Sequence, residues 1–191
     1  MSPDFDQHYF NKYFFNEDTG EFDNYQKSWF KLSYIPHLVE EASLLEKTIS
    51  TALILGSATG ECLQYLEINK IKATGIELSE YAQENSLKEF HDKTHWGCVT
   101  QQFPKLCQQG LSFDLIFSSC LHYLDLPTIE QLLGQIKGSC YYFSHYGGFQ
   151  NFGDNAMDLK IKILEPYPWW VELFNKHGFT TTLSPYIWKS F

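Results

Sequence analysis

Thr51-Ala52-Leu53-Ile54-Leu55-Gly56-Ser57-Ala58-Thr59-Gly60-Glu61 and, shortly after it, Ala73-Thr74-Gly75-Ile76-Glu77-Leu78-Ser79 decide how this chain is read. The first stretch opens as an apolar run, breaks at a turn of small residues and continues as Glu61-Cys62-Leu63-Gln64-Tyr65-Leu66, whose apolar residues recur at helical spacing. The expectation is strand, tight turn, helix. Glycines let such a turn bend sharply and approach a ligand, and the unpaired N–H groups of the helix start offer donors to a polar or anionic group. The second stretch is another short strand, and it ends in an acid, Glu77. Its place, about twenty residues beyond Gly56, is where a nucleotide-type α/β fold sets a carboxylate against a ribose diol. The turn is not Gly-x-Gly-x-x-Gly, and there is no Gly-Lys-Ser/Thr, which argues against a P-loop triphosphatase.

Strand and helix signals alternate outward from this unit. Ala52–Leu55 reads as a strand, Cys62–Ile68 as a helix, Ala73–Glu77 as a strand, and Tyr81–His91 as a helix with Ser79 as N-cap. Gly97–Thr100 reads as a weak third strand, followed by a Pro-broken loop at Gln101–Lys105. Phe113–Ser118 is a buried strand, Thr128–Lys137 a helix, and Ser139–Ser144 a fifth strand. A helix over Trp170–His177 ends at Gly178, and Phe179–Leu183 and Tyr186–Phe191 form the arms of an antiparallel hairpin around Ser184-Pro185. The fold class expected is α/β: a Rossmann-like, mostly parallel sheet with helices on both faces and a C-terminal antiparallel hairpin. Residues 1–191 read as one domain, with an N-terminal helical cap at 1–46, an α/β core at 47–191 and a candidate lid at 147–168.

Composition bounds the function. The 191 residues are 43% hydrophobic and 17% aromatic, enough for a sizeable ring-rich core. A formal net charge of −9 repels phosphate backbones and anionic lipid, so neither nucleic acid nor a membrane is expected as partner. The five cysteines, at 62, 98, 107, 120 and 140, lack Cys-x-x-Cys spacing and read as reduced thiols, not as a disulfide framework or zinc site. No metal is expected. Without a visible secretory signal or a long apolar run, the expected location is the cytoplasm.

Four segments, in order, resemble the class I S-adenosylmethionine-dependent methyltransferases: Leu53–Gly60 as their first motif, Gly75–Ser79 as their ribose-binding strand, Phe113–Leu124 as their fourth strand and following loop, and Trp169–Phe179 as their late helix. The resemblance implies S-adenosylmethionine as cofactor. It implies that Gly56, Ser57, Ala58 and Gly60 line the methionine end, that Glu77 grips the ribose and that Leu78 presses on the adenine. Gln101 and Phe103 would border the base, with Ser118 and Ser119 beneath the sulfonium. The chain departs from the family at Ile54, where an acid is usual, and at Ala58, where glycine is usual. The added methyl of Ala58 is tolerated at negative φ and costly at positive φ.

Methyl transfer from a sulfonium is an in-line displacement, so the protein's task is to align the nucleophile and exclude water. A base helps where the nucleophile must lose a proton. His122 and His145, beyond the fourth and fifth strands, are the catalytic candidates. Tyr123, Tyr146, Tyr167 and Trp169 are the candidates for an aromatic wall around the acceptor. No Asn/Asp-Pro-Pro-Tyr sequence follows strand four, which again points away from nucleic acid. The expected activity is methyl transfer to O or N of a small molecule. A methyltransferase-like binding or regulatory module without turnover and an NAD(P)-dependent oxidoreductase are the alternatives.

Overall fold

The computed structural model describes residues 5–11, 14–16, 21–23, 37–38, 40–41, 44–147 and 160–190. Its centre is β3 (Thr51–Leu55), four of whose five residues are buried. The side chains alternate: Ala52 and Ile54 face one layer, Leu53 and Leu55 the other. Burial on both faces is what a central parallel strand requires.

Strands β4 (Lys72–Glu77) and β6 (Phe113–Ser118) flank β3 in parallel, β5 (Thr94–Trp96) extends β4, and β7 (Cys140–His145) extends β6. Two antiparallel strands close the sheet, β9 (Ile187–Lys189) beside β7 and β8 (Thr180–Thr181) at the edge, in the order β5-β4-β3-β6-β7-β9-β8. Helix Glu61–Ile68 covers one face with Cys62, Leu63 and Leu66. Helices Val99–Gln108, Leu126–Lys137 and Tyr167–Lys176 cover the other, around Phe103, Leu133, Trp170 and Phe174. Asp114 fastens β6 to the start of β3: its carboxylate accepts from the N–H groups of Ser50 and Thr51 at 2.9 and 3.0 Å and pairs with Lys47 at 2.6 Å. The α/β class, the parallel core and the closing antiparallel pair agree with the sequence reading.

Three local expectations are corrected. The third strand is Thr94–Trp96, three residues before Gly97–Thr100; it ends where Gly97 N–H bonds the Glu77 carbonyl at 2.7 Å. Gln101–Lys105 is helix and not loop, with Pro104 inside it. An interior proline costs about 3 kcal/mol, but burying Phe103 and Leu106 on one face returns roughly 1.5–3 kcal/mol each. The helix after β4 spans only Glu80–Asn85; Ser79 caps it by accepting from Ala82 N–H. Beyond it Leu87 N–H bonds the Thr59 carbonyl at 2.9 Å and pulls the chain into a 3-10 segment, Lys88–Lys93, beneath the small-residue turn.

The expected helical cap is mixed. A helix, Gln7–Asn11, is followed by an antiparallel pair, β1 (Phe14–Asn16) and β2 (Glu21–Asp23). Residues 24–36, and 148–159 of the candidate lid, lie outside the described residues. Among the described residues no helix is long and apolar enough to cross a membrane.

Candidate functional site

Strands β3, β4 and β6 end together, and beyond their carboxyl ends lies a cleft lined by Gly56, Ala58, Glu77, Leu78, Cys98, Val99, Ser119, Cys120 and Tyr123. In open α/β sheets this is where ligands bind. The floor is the turn after β3. Gly56 (φ +86°) and Gly60 (φ +98°) are left-handed, and a Cβ on Gly56 would press on Ser119 Oγ and Cys120 Cβ at 3.0 and 3.2 Å. Gly56 and Ser57 donate their N–H groups to the Ile76 carbonyl, and Ser119 Oγ donates to the Gly56 carbonyl at 2.9 Å. Together these bonds join the ends of all three strands. Ala58 adopts φ +48°, the costly case: a left-handed alanine carries roughly 1–2 kcal/mol of strain.

Glu77 is the hub. Its Oε2 accepts from Ala58 N–H, and its Oε1 from Leu78 and Ser79 N–H, each at 2.8 Å. Burial raises this carboxyl above its ordinary value, while the backbone N–H groups of Ser79, Ala58 and Leu78 pull it down. A carboxylate has about four lone-pair sites, so three backbone bonds leave capacity for a ligand hydroxyl.

The N-terminal segment roofs the cleft with Phe5, Tyr9 and Phe10. Ser79 Oγ donates to the Phe5 carbonyl at 2.5 Å, the Tyr9 and Tyr123 hydroxyls are 2.8 Å apart, and Phe10 stacks on Tyr81 at 5.1 Å. The cavity left beneath is about 110 Å³. Small-molecule sites commonly need roughly 300–1,000 Å³. With the roof in this position the cavity is smaller than a nucleoside-sized ligand fills.

Of the residues expected at the site, Gly56, Ala58, Glu77, Leu78, Ser119 and Tyr123 line this cleft. Ser57 is fully buried, its hydroxyl filling the space beside Gly75, and Gly60 starts helix Glu61–Ile68 above Phe90. The other expected residues do not line it. Gln101 lies on the exposed side of its helix, and Phe103 is fully buried in the core; helical periodicity turns Cys98 and Val99 to the cleft instead. Ser118 points down, its Oγ accepting from Cys120 N–H at 3.4 Å. Tyr146 packs on the core, the Tyr167 hydroxyl donates to the Pro185 carbonyl, and Trp169 lies edge-on to Trp170.

Neither histidine reaches the cleft. His145 is fully buried, with Nδ1 3.1 Å from the Ser118 carbonyl and the Trp170 ring tilted across it at 4.6 Å. Burial holds its imidazole down at about 3, against the backbone bonds to Ser118 and Gly147. His122 is buried beside it, and burial together with His145 holds it well below the ordinary range. Gly147 packs directly on the His122 ring, and the His122 carbonyl accepts from Lys162 and Ile163 N–H. Both are buried, and burial favours the neutral form of each. The sequence offered no sign of this, because histidine at a strand end reads alike whether it faces ligand or core. In the cleft, burial pushes the Cys120 thiol up to about 12.

The residues present fit S-adenosylmethionine in kind: a left-handed turn for the methionine end, a carboxylate for the ribose, and apolar Leu78 and Val99 for the base. No protein-family model matches the chain, and no curated protein matches it. Solved structures do. An O-methyltransferase family protein from Burkholderia thailandensis superposes with a TM-score of 0.56 at 15% identity, over 84% of this chain and 58% of that one. The plantazolicin methyltransferase, in complex with SAH and a desmethyl analogue, gives 0.55 at 16% identity, over 79% and 65%. An S-adenosylmethionine-dependent methyltransferase from Archaeoglobus fulgidus gives 0.59 at 15% identity, over 78% and 69%. The chain thus spans a little over half to about two thirds of these proteins' lengths. It has the class I S-adenosylmethionine-dependent methyltransferase fold.

Proposed function

We propose that this chain is an S-adenosylmethionine-dependent methyltransferase that moves a methyl group to O or N of a small-molecule acceptor in the cytoplasm. The observation that carries the reading is Glu77: a buried carboxylate at the end of β4, held by three backbone N–H groups and lining a cleft floored by the β3 turn. Structural neighbours that depend on S-adenosylmethionine or hold SAH support it.

The roles follow from position. The backbone of Gly56–Ala58 receives the amino-acid end, Glu77 accepts from the ribose, Leu78 and Val99 sandwich the base, and Ser119 and Cys120 border the reacting atoms. The cofactor supplies a methyl group already activated by sulfonium charge. This chain aligns the acceptor and keeps water out, which the aromatic roof of Phe5, Tyr9 and Phe10 does once closed.

The test is calorimetric titration of the purified chain with S-adenosylmethionine, S-adenosylhomocysteine and nicotinamide dinucleotides, then a mass-spectrometric screen for methylated products. Micromolar binding of the first two, about −8 kcal/mol, with methylated product is expected. Binding without product across a broad acceptor set would favour the non-catalytic module. No binding by folded protein would overturn the reading.

A further inference from the structure

The segment that roofs the cleft runs from one side of it to the other. On the side of β4, Ser79 Oγ donates to the Phe5 carbonyl, and Phe10 stacks on Tyr81 at 5.1 Å. On the side of β6, the Tyr9 and Tyr123 hydroxyls are hydrogen-bonded at 2.8 Å, and the Phe5 ring stands edge-on to Tyr123 at 5.1 Å. Ser79 and Tyr81 follow β4 and Tyr123 follows β6, so the segment straps together two loops whose strands are not neighbours in the sheet. Phe5, Tyr9 and Phe10 all line the cavity beneath, which holds about 110 Å³.

The strap is unevenly held. Phe10 is 6% exposed and belongs to the apolar layer of Ala58, Cys62, Leu63 and Leu66. Pulling its ring out would expose apolar surface for which water offers no substitute. Phe5 and Tyr9 are half-buried, and the hydrogen bonds to Ser79 and Tyr123 are exchanged for bonds to water at small net cost. The stretch from Phe5 to Tyr9 is therefore the end that releases first. Its release is also what makes room: a small-molecule site needs roughly 300–1,000 Å³, and Phe5 and Tyr9 border the space such a ligand would take.

We propose that residues 5–9 are an autoinhibitory latch: docked on Ser79 and Tyr123 they take up the room of the nucleoside ligand, and they pivot about Phe10 to admit it. This rests on the reading of the cleft as the S-adenosylmethionine site. The ties to Ser79 and Tyr123 belong to the empty cleft and compete with the ligand; once it is seated, the rings lie over it with those ties given up. Apparent affinity is then the intrinsic affinity multiplied by the fraction of protein whose latch is open. Loosening a tie raises that fraction, and with it the rate of entry, and leaves the rate of exit alone. A side chain that grips the ligand directly behaves in the opposite sense: trimming it speeds exit and weakens binding.

The experiment compares the native chain with Tyr9→Phe, Tyr123→Phe and the double variant, all of which keep both rings and lose the hydroxyl bond. Entry of S-adenosylhomocysteine is followed by stopped-flow mixing, exit by dilution, and affinity by calorimetry. Each single variant should take up S-adenosylhomocysteine about two- to tenfold faster, the worth of one hydrogen bond, and bind it tighter by the same factor, with exit unchanged within about twofold. The double variant should match the singles, because both substitutions remove one and the same bond. Should a tyrosine variant fail to fold, Ser79→Ala loosens the other tie and should shift entry and affinity in the same direction. Faster exit with weaker binding would make the tyrosines part of the ligand's grip, and an unchanged entry rate would leave them no latch to hold; either result overturns the proposal. Failure of S-adenosylhomocysteine to bind the folded native chain and every variant would instead remove the methyltransferase reading, and this proposal with it.

Discussion

Glu77→Gln keeps the shape of the side chain and exchanges one acceptor oxygen for a donor. Oε1 takes the N–H groups of Leu78 and Ser79 and Oε2 that of Ala58. An amide whose oxygen keeps the first pair turns its NH₂ toward Ala58 N–H, donor against donor, inside a buried turn. An unpaired buried N–H costs about 1–3 kcal/mol. Part of this is offset because no charge is buried any longer, the same burial that raises the Glu77 carboxyl. The variant should therefore lose about 1–2 kcal/mol in urea unfolding. A ligand hydroxyl bonded to a charged acceptor contributes about 1.5–3 kcal/mol, so S-adenosylhomocysteine should bind roughly 10–100-fold more weakly by calorimetry. The pH dependence carries its own sign. With the folded carboxyl raised, the folded state holds a proton at pH values where the unfolded chain has released it. Native stability therefore falls as pH rises from 4.5 through the folded value, and Glu77→Gln removes that slope. A cooperatively folded Glu77→Gln protein that keeps its S-adenosylhomocysteine affinity within about threefold would refute the ribose assignment.

Ser79→Ala removes both the cap of helix Glu80–Asn85 and the donor to the Phe5 carbonyl; it should cost about 1 kcal/mol and speed S-adenosylhomocysteine association in stopped-flow, since the roof loses a tie. The two histidines, held neutral, should add no ionisation near 6.5 to a rate profile; a limb there that vanishes in His145→Gln would restore it as a base. Their lowered values act on stability in the opposite sense to Glu77: it is present above 6.5 and drains as pH falls below it, because the unfolded imidazoles protonate first, and His145→Gln should flatten that acid limb in thermal melts.

The sheet was legible because its strands carry strong local signals: Leu53–Leu55 and Leu115–Phe117 are continuous apolar runs, and Ser79 and Gly178 mark helix ends by chemistry. The third strand was not, because Thr94–Trp96 is short, lies at the sheet edge and buries only Thr94, giving no period to detect. Pro104 misdirected the reading for a different reason: its local penalty is plain in sequence, and the burial that outweighs it is tertiary. The same gap hid the site's walls. The position of Glu77 follows from a spacing rule, but nothing in the sequence shows that Phe5, Tyr9 and Phe10 roof a cleft whose other walls lie as far on as Tyr123, 114 positions after Tyr9.

The bond from Asp114 to Thr51 spans 63 positions, and it marks the seam where β6 joins β3. Each other parallel pair is linked through a much shorter crossover, such as Thr51 with Lys72 or Gly75 with Thr94. Contacts between distant residues form slowly, since chain entropy is spent before they return anything. The cleft straddles this seam, with Gly56 and Glu77 on one side and Ser119 and Tyr123 on the other. Its ligand is therefore a late-arriving rivet: it has nothing to hold until both halves have met, and once seated it retards their parting more than it hastens their meeting.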